Sequence, residues 1–184
     1  LRAGLGAFIG LALAGAFVLA PTIDLALGLY LVAPFGASSV LLFAVPNSPL
    51  AQPWSAIIGN VIAALVGVAV CLVVQDPVLR IALAVGLAIT VTILCRALHP
   101  PAGAVAMTVA MSPDAVQELG FYFALMPIGI GTVVLVLISM IYGRMTGRHY
   151  PFRQFDDLNR YGTQDLDPMK RLGLSEAELS DILD

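Results

Sequence analysis

The residue types best suited to chemistry lie together in residues 96–104, which read RALHPPAGA. Arg96 is a cation, and the imidazole of His99 can gain or lose a proton near neutral pH. Pro100 and Pro101 supply no backbone N–H and restrict the residues before them, so a helix that arrives here should end near His99. A new helix can begin at Pro101. The stretch therefore predicts a break between two helices that carries polar groups.

A helix that begins at Pro101 would present its first backbone N–H groups, those of Ala102, Gly103 and Ala104, without intrahelical partners. These groups form the positive end of the helix dipole and bind anions in many proteins. Discontinuous membrane helices present the same groups to anionic substrates. We therefore predict a binding site for a small anion at the start of this helix.

The composition assigns the chain to a membrane. Hydrophobic residues make up 59% of the sequence and charged residues 11%, with a mean hydropathy of +0.94, whereas soluble domains carry roughly 25% charged residues. Between residues 3 and 143 the acidic and basic side chains are Asp24, Asp76, Arg80, Arg96, Asp114 and Glu118. The sequence predicts an all-α polytopic membrane helix bundle over residues 1–145. Residues 146–184 should form a cytoplasmic tail, in which a capping box at Ser175 opens an amphipathic helix.

The polar residues of the membrane part do not form a catalytic or metal-binding set. His99 has no carboxylate at a useful spacing, which argues against hydrolysis and zinc chemistry. Cys71 and Cys95 lie in apolar runs and should be buried thiols. We therefore expect no enzyme activity, no metal and no cofactor, and the composition gives no sign of nucleic-acid binding.

Two segments of the chain share a Pro-x-Gly-Ala pattern. Residues 34–37 read PFGA and residues 101–104 read PAGA, and a further proline follows twelve positions after the first in both. The pattern predicts two related halves, each with a proline-broken or re-entrant helix. The helix starts at Pro34 and Pro101 should converge near the bilayer midplane, where N–H groups of Gly36, Ala37, Gly103 and Ala104 would bind the anion. Re-entrant segments would leave four full spans, and crossing segments would give five or six.

Each candidate side chain also has a structural alternative. Arg96 could reach into a central cavity, or it could extend to the membrane interface from a helix end. His99 could give a proton or hydrogen bond to the substrate, or it could cap the preceding helix. Ser38 and Ser39 could donate to the anion or to backbone carbonyls. Asn60 marks either the substrate pathway or a contact between two helices.

Charge and small residues predict the topology and assembly. Arginines follow the last apolar run and acidic residues precede it, so the C-terminal tail should be cytoplasmic. Gly6 and Gly10 form a GxxxG pair, which permits close helix contact within the chain or between two copies. The small size and the glycine-rich helix faces predict a homo-oligomer.

The motifs of the chain resemble those of the HPP family of small integral membrane proteins. The similarity rests on HPPAGA at residues 99–104, GASSVLLF at 36–43 and SPLAQP at 48–53, and it covers residues 1–150. The resemblance implies a small-anion transporter or channel, with nitrite as the first substrate to test, in a bacterial inner membrane. Some family members continue into cytoplasmic CBS domains. The alternative function is therefore a membrane anchor or sensor that regulates such domains and has no substrate of its own.

Overall fold

The structure, a computed structural model, describes residues 1–18 and 33–151. The predicted tail helix, Asp24 and the first part of the second apolar run lie outside these residues. The described part is all-α, as predicted. Its helices are α1 (Arg2–Val18), α2 (Ala33–Ala44), α3 (Pro53–Val73), α4 (Pro77–Leu94), α5 (Pro101–Ala110), α6 (Pro113–Leu119) and α7 (Ala124–Met145).

Prolines and one aspartate place the helix starts. Pro53, Pro77 and Pro101 each occupy the first turn of a helix, where the missing N–H has no cost. The carboxylate of Asp76 accepts a hydrogen bond from the N–H of Leu79 at 2.8 Å and caps α4. Within the described residues, α3, α4 and α7 are long and apolar enough to cross a membrane.

Three hydrogen bonds define one end of the bundle, which we call the basic end. Arg2 Nη1 donates to the Thr146 carbonyl at 2.7 Å, so α1 begins where α7 ends. Trp54 Nε1 lies 3.4 Å from the Cys95 carbonyl, so α3 begins where α4 ends. Tyr150 Oη donates to the carbonyl of Ala51 at 2.7 Å and joins the two pairs. Arg2, Arg96, Arg144 and Arg148 all lie at this end.

The opposite end, the acidic end, carries Asp76, Asp114 and Glu118 at the start of α4 and in α6. Arg80, one turn into α4, donates from Nε to the carbonyl of Ala110 at 2.8 Å. The last turn of α5 therefore lies beside the first turn of α4. Residues 96–110 return from the basic end toward the acidic end, partly as an irregular turn and partly as α5. A ten-residue helix is only about 15 Å long, so the turn contributes the remaining distance.

The two short helices run in opposite directions. Arg148 Nη1 donates to the Phe43 carbonyl at 2.9 Å, so α2 ends at the basic end. In contrast, α5 starts near the basic end and runs away from it. Helix α5 begins at Pro101, as the repeated pattern predicts. Residues 19–32 lie outside the described residues, so the predicted helix start at Pro34 stays a prediction. Helices α1–α3 and helices α4, α5 and α7 thus form two halves of inverted direction.

Small residues allow the helices to pack closely. A Cβ added to Gly6 would lie 2.6 Å from Tyr142, and one added to Gly10 would lie 2.5 Å from Phe43. The GxxxG pair is therefore used within the chain. A Cβ on Gly67 of α3 would lie 2.9 Å from Val109 of α5. Fully buried alanines continue this contact, at Ala63, Ala64, Ala106 and Ala110.

Candidate functional site

A buried histidine ties three segments together between α4 and α5. His99 is 1% exposed, and its Nδ1 lies 2.8 Å from the carbonyl oxygen of Leu50. Its Nε2 lies 2.9 Å from Oγ of Ser38. A carbonyl can only accept, so Nδ1 carries the hydrogen, and in the neutral ring Nε2 accepts from the Ser38 hydroxyl. We call His99, Ser38 and Leu50 the histidine junction.

The histidine junction depends on how α4 ends. The sequence predicts a helix to about residue 98, but α4 ends at Leu94. Arg96 adopts a left-handed φ of 51°. The Arg96 N–H donates to the Ile93 carbonyl at 3.0 Å, and the Ala97 N–H donates to the Thr92 carbonyl at 2.8 Å. This pair of bonds is the Schellman motif, which normally has glycine at the left-handed position.

Gly59 of α3 admits the turn that follows α4. A Cβ on Gly59 would lie 2.5 Å from the carbonyl oxygen of Ala97 and 2.9 Å from Cβ of His99. Glycine is therefore required for this approach. Gly59 was not among the residues predicted from the sequence to form the site. Its position beside Asn60, in a helix rich in small residues, gave no sign of which segment it contacts.

The predicted N–H site at the start of α5 needs correction. The N–H of Ala102 donates to the carbonyl of His99 at 2.8 Å, and the N–H of Gly103 donates to the carbonyl of Pro100 at 3.1 Å. The expectation that these groups lack partners is wrong, because Pro100 has helical backbone angles and the turn supplies the carbonyls. Ala104 is exposed.

Two serines directly follow the first Pro-x-Gly-Ala segment, and one of them lies in the histidine junction. Ser38 contacts His99, whereas Ser39 Oγ donates to the carbonyl of Phe35 within α2 at 2.8 Å. Pro34 is buried and Ala37 is exposed. A Cβ added to Gly36 would meet no atom within 4 Å. The structure therefore brings together Ser38 and His99 from the predicted set.

Arg96 and Asn60 lie in different surroundings from His99. Arg96 is exposed at the end of α4, at the basic end. Asn60 is fully buried, and its Nδ2 donates to Oγ1 of Thr132 on α7 at 3.1 Å. Asn60 thus forms the contact between two helices that was one of its two predicted roles.

Three arginines bind helix ends in a way that was not predicted from the sequence. Arg80, Arg148 and Arg2 each donate to a carbonyl at or just beyond the C-terminal end of another helix, namely α5, α2 and α7. Cations are favoured there because the helix dipole is negative at its C-terminal end. The sequence shows the cations, but it does not show which helix ends they approach.

The cysteines and the other residue types that bind metals are not grouped into a metal site in the described part of the chain. Cys71 is buried as predicted, but the prediction for Cys95 is wrong, because it lies exposed at the end of α4. Within residues 1–18 and 33–151, no three His, Cys, Asp or Glu side chains are grouped to hold a metal.

Residues 1–151 match the family described as "HPP, transmembrane region". The chain belongs to the HPP family. Two transmembrane proteins of Dictyostelium discoideum are similar to it. One is 36% identical over 128 residues, which is 67% of this chain and 41% of the relative. The other is 37% identical over 126 residues, which is 66% of this chain and 44% of the relative.

The chain spans less than half the length of these two relatives. No solved structure matches it. The HPP tripeptide of this family member, residues 99–101, supplies both the histidine of the junction and the proline that starts α5. The protein is an HPP-family membrane protein whose signature residues end the turn between α4 and α5, with His99 and Pro101 buried and Pro100 exposed.

Proposed function

We propose that this HPP-family membrane protein moves a small inorganic anion across the membrane, with nitrite as the first substrate to test. One observation carries the proposal. Helices α2 and α5, which run in opposite directions, are joined inside the bundle by the hydrogen bond between Ser38 and His99. Interrupted helices in corresponding positions of inverted halves are a common architecture of transport sites.

The distribution of charge favours an anion as substrate. Among the described residues, acidic side chains lie at the acidic end, in the cap of α4 and in α6. Arg96 is exposed at the basic end, only three positions before His99. An anion approaching from the basic end would meet this guanidinium first. Attraction to a fixed cation raises the local concentration of an anion without requiring a deep binding site.

The hydrogen bonds of the histidine junction define how an anion would enter. The N–H of His99 and the first N–H groups of α5 already have acceptors. The hydroxyl of Ser38 has a side-chain acceptor, and a side chain can turn away more easily than a backbone carbonyl. The anion, first attracted by Arg96 at the basic end, therefore replaces His99 Nε2 as the acceptor for Ser38.

The orientation, location and assembly of the protein are part of the same proposal. Four arginines at the basic end and three acidic residues at the other end support a cytoplasmic basic end. A bacterial inner membrane and a homo-oligomer stay predictions from the sequence.

Flux through purified protein in liposomes tests the proposal. Nitrite uptake is measured beside nitrate, chloride and formate, with empty liposomes as the blank. We expect protein-dependent nitrite uptake that falls in Arg96→Gln and Ser38→Ala. Two matched controls should retain uptake: Arg144→Gln, another exposed arginine at the basic end, and Ser39→Ala, whose hydroxyl bonds within α2.

The flux measurement has two informative failures. If folded protein moves no anion above the blank, transport is wrong. If Arg96→Gln and Ser38→Ala carry nitrite as well as their controls, the anion pathway avoids the histidine junction.

The alternative is a membrane anchor or sensor without a substrate. The close packing of α3 on α5 through Gly67 and Val109 favours it, because a densely packed interface leaves no room for an ion at that level. Absence of flux for all four anions, with the fold intact, would favour this function.

A further inference from the structure

One buried side-chain atom in the described part of the chain has no hydrogen-bond partner, and it is Oδ1 of Asn60. Asn60 is fully buried in α3, one of the helices long enough to cross a membrane. An unpaired amide oxygen in such surroundings costs free energy comparable to a lost hydrogen bond. A retained polar atom of this kind needs an explanation, and a bound ion is one of the standard ones.

The hydrogen bonds of Thr132 fix which end of the Asn60 amide is unpaired. Thr132 Oγ1 donates its hydrogen to the carbonyl of Ile128 within α7 at 2.8 Å. The hydroxyl can therefore only accept from Asn60, so the atom that faces it must be the Nδ2 donor. The free position of Asn60 consequently presents an oxygen, which attracts cations.

The neighbouring part of α7 is interrupted. Met126 has non-helical backbone angles, with φ −130° and ψ 118°, and Pro127 has no N–H to donate. Pro127 therefore cannot donate to the carbonyl of Phe123, its acceptor in a regular α-helix, whereas the carbonyl of Leu125 accepts from the N–H of Ile130. The break lies against α3, because a Cβ added to Gly129 would be 3.3 Å from Val61, the residue after Asn60. An amide oxygen, a hydroxyl and a broken helix therefore occupy the same region of the α3–α7 contact.

We propose that the Asn60–Thr132 contact binds a small monovalent cation, for which sodium is the probe. Neutral oxygens from side chains and from unwound backbone are the ligands that discontinuous membrane helices use for Na⁺. Divalent cations are less suited, because calcium and magnesium sites in proteins normally include carboxylates. The acidic residues of the described chain lie instead in the cap of α4 and in α6.

Cation binding would remove the electrical barrier to anion entry through the proposed pathway. A membrane potential that is negative inside opposes anion entry, and a cation carried with the anion cancels the charge that is moved. Only this coupling rests on the proposed function. Cation binding by itself does not, because it can be measured on protein in detergent without any flux.

Binding of radioactive sodium to the purified full chain tests the site directly, with choline replacing sodium in the blank. We expect saturable binding that unlabelled sodium displaces and choline does not. Asn60→Leu keeps a similar volume without the oxygen, and it should weaken sodium binding by about tenfold or more. Thr132→Val should also weaken binding. Thr92→Val is the matched control, because Thr92 is a buried threonine whose hydroxyl bonds within α4, and it should bind sodium normally.

The wild-type protein keeps the test decisive if Asn60→Leu does not fold. Sodium that binds the folded state raises the midpoint of thermal unfolding relative to choline at equal ionic strength. Lithium and potassium, run beside sodium, report the size preference of the site. Absence of both saturable binding and cation-specific stabilisation would overturn the proposal, as would unchanged binding in folded Asn60→Leu and Thr132→Val. Anion flux in that case would leave the proposed transport function intact without a cation site.

Discussion

Replacing Arg96 with glycine should stabilise the fold and impair the proposed function. Arg96 sits at the left-handed position of the Schellman motif that ends α4, with φ 51°. The equivalent position at the end of α7 is Gly147, with φ 72°, and the N–H of Arg148 donates to the carbonyl of Gly143 at 2.8 Å. The two motifs have the same bonds, but only α7 has the residue that suits this conformation.

The size of the effect follows from two opposing terms. A side chain with a Cβ in the left-handed region costs roughly 1–2 kcal/mol. Glycine loses about 0.5–1 kcal/mol more than alanine through the conformational freedom of the unfolded chain. Since Arg96 is exposed, the loss of its side-chain contacts should be small. The net gain in the free energy of unfolding for Arg96→Gly is therefore up to about 1.5 kcal/mol, which is up to about 6 °C in the thermal midpoint.

Thermal unfolding in detergent and nitrite flux in liposomes, measured on the same preparations, check this prediction. Arg96→Gly should unfold at a higher temperature than wild type and carry less nitrite. Gly147→Ala is the reverse substitution in the matching motif and should unfold at a lower temperature. The reasoning about backbone strain is refuted if Arg96→Gly destabilises the protein while Gly147→Ala has no effect.

Three further substitutions probe the contacts that hold the site. Gly59→Ala would place a Cβ 2.5 Å from a backbone oxygen. Thermal unfolding should show a free energy of unfolding about 1–3 kcal/mol lower than that of the control Gly86→Ala, whose added Cβ meets no atom within 4 Å. Arg80→Gln removes a charged donor 2.8 Å from the end of α5 and should lower stability by about 1.5–3 kcal/mol. Tyr150→Phe loses a buried 2.7 Å hydrogen bond, at a cost of about 1 kcal/mol. Burial raises the pKa of Tyr150, so its contribution is complete below about pH 10 and falls at higher pH; unfolding measured against pH should show a smaller alkaline loss in Tyr150→Phe.

The sequence predicted the start of α5 correctly but not the end of α4. Pro101 begins α5 as expected, because proline fixes the backbone of a first helical turn. The end of α4 was placed about four residues too late, because Arg96 takes a conformation that arginine rarely adopts. No local sequence pattern predicts that an arginine will occupy the left-handed position of a Schellman motif, where glycine is normal.

The partners of the site residues could not be read from the sequence. His99 was recognised as an unusual polar residue, but its hydrogen-bond partners were not predicted. The carbonyl that accepts from it belongs to Leu50, and the hydroxyl that donates to it belongs to Ser38; they lie 49 and 61 positions away in the chain. The choice of Ser38 over Ser39 depends on which side of α2 faces the turn. That is set by helix packing, and two adjacent serines look alike in the sequence.

The two halves of the molecule share a sequence pattern and run in inverted directions, but they differ in chemistry. The start of α5 is closed by its own turn, since Ala102 and Gly103 donate to carbonyls within residues 99–100. The unpaired oxygen of the described chain lies instead between α3 and α7, at Asn60. A transporter that moves an anion with a cation needs two sites of opposite polarity. Under the proposed mechanism, the exposed guanidinium of Arg96 would attract the anion and the buried oxygen of Asn60 would bind the cation. A substitution at either position should then affect one ion and spare binding of the other.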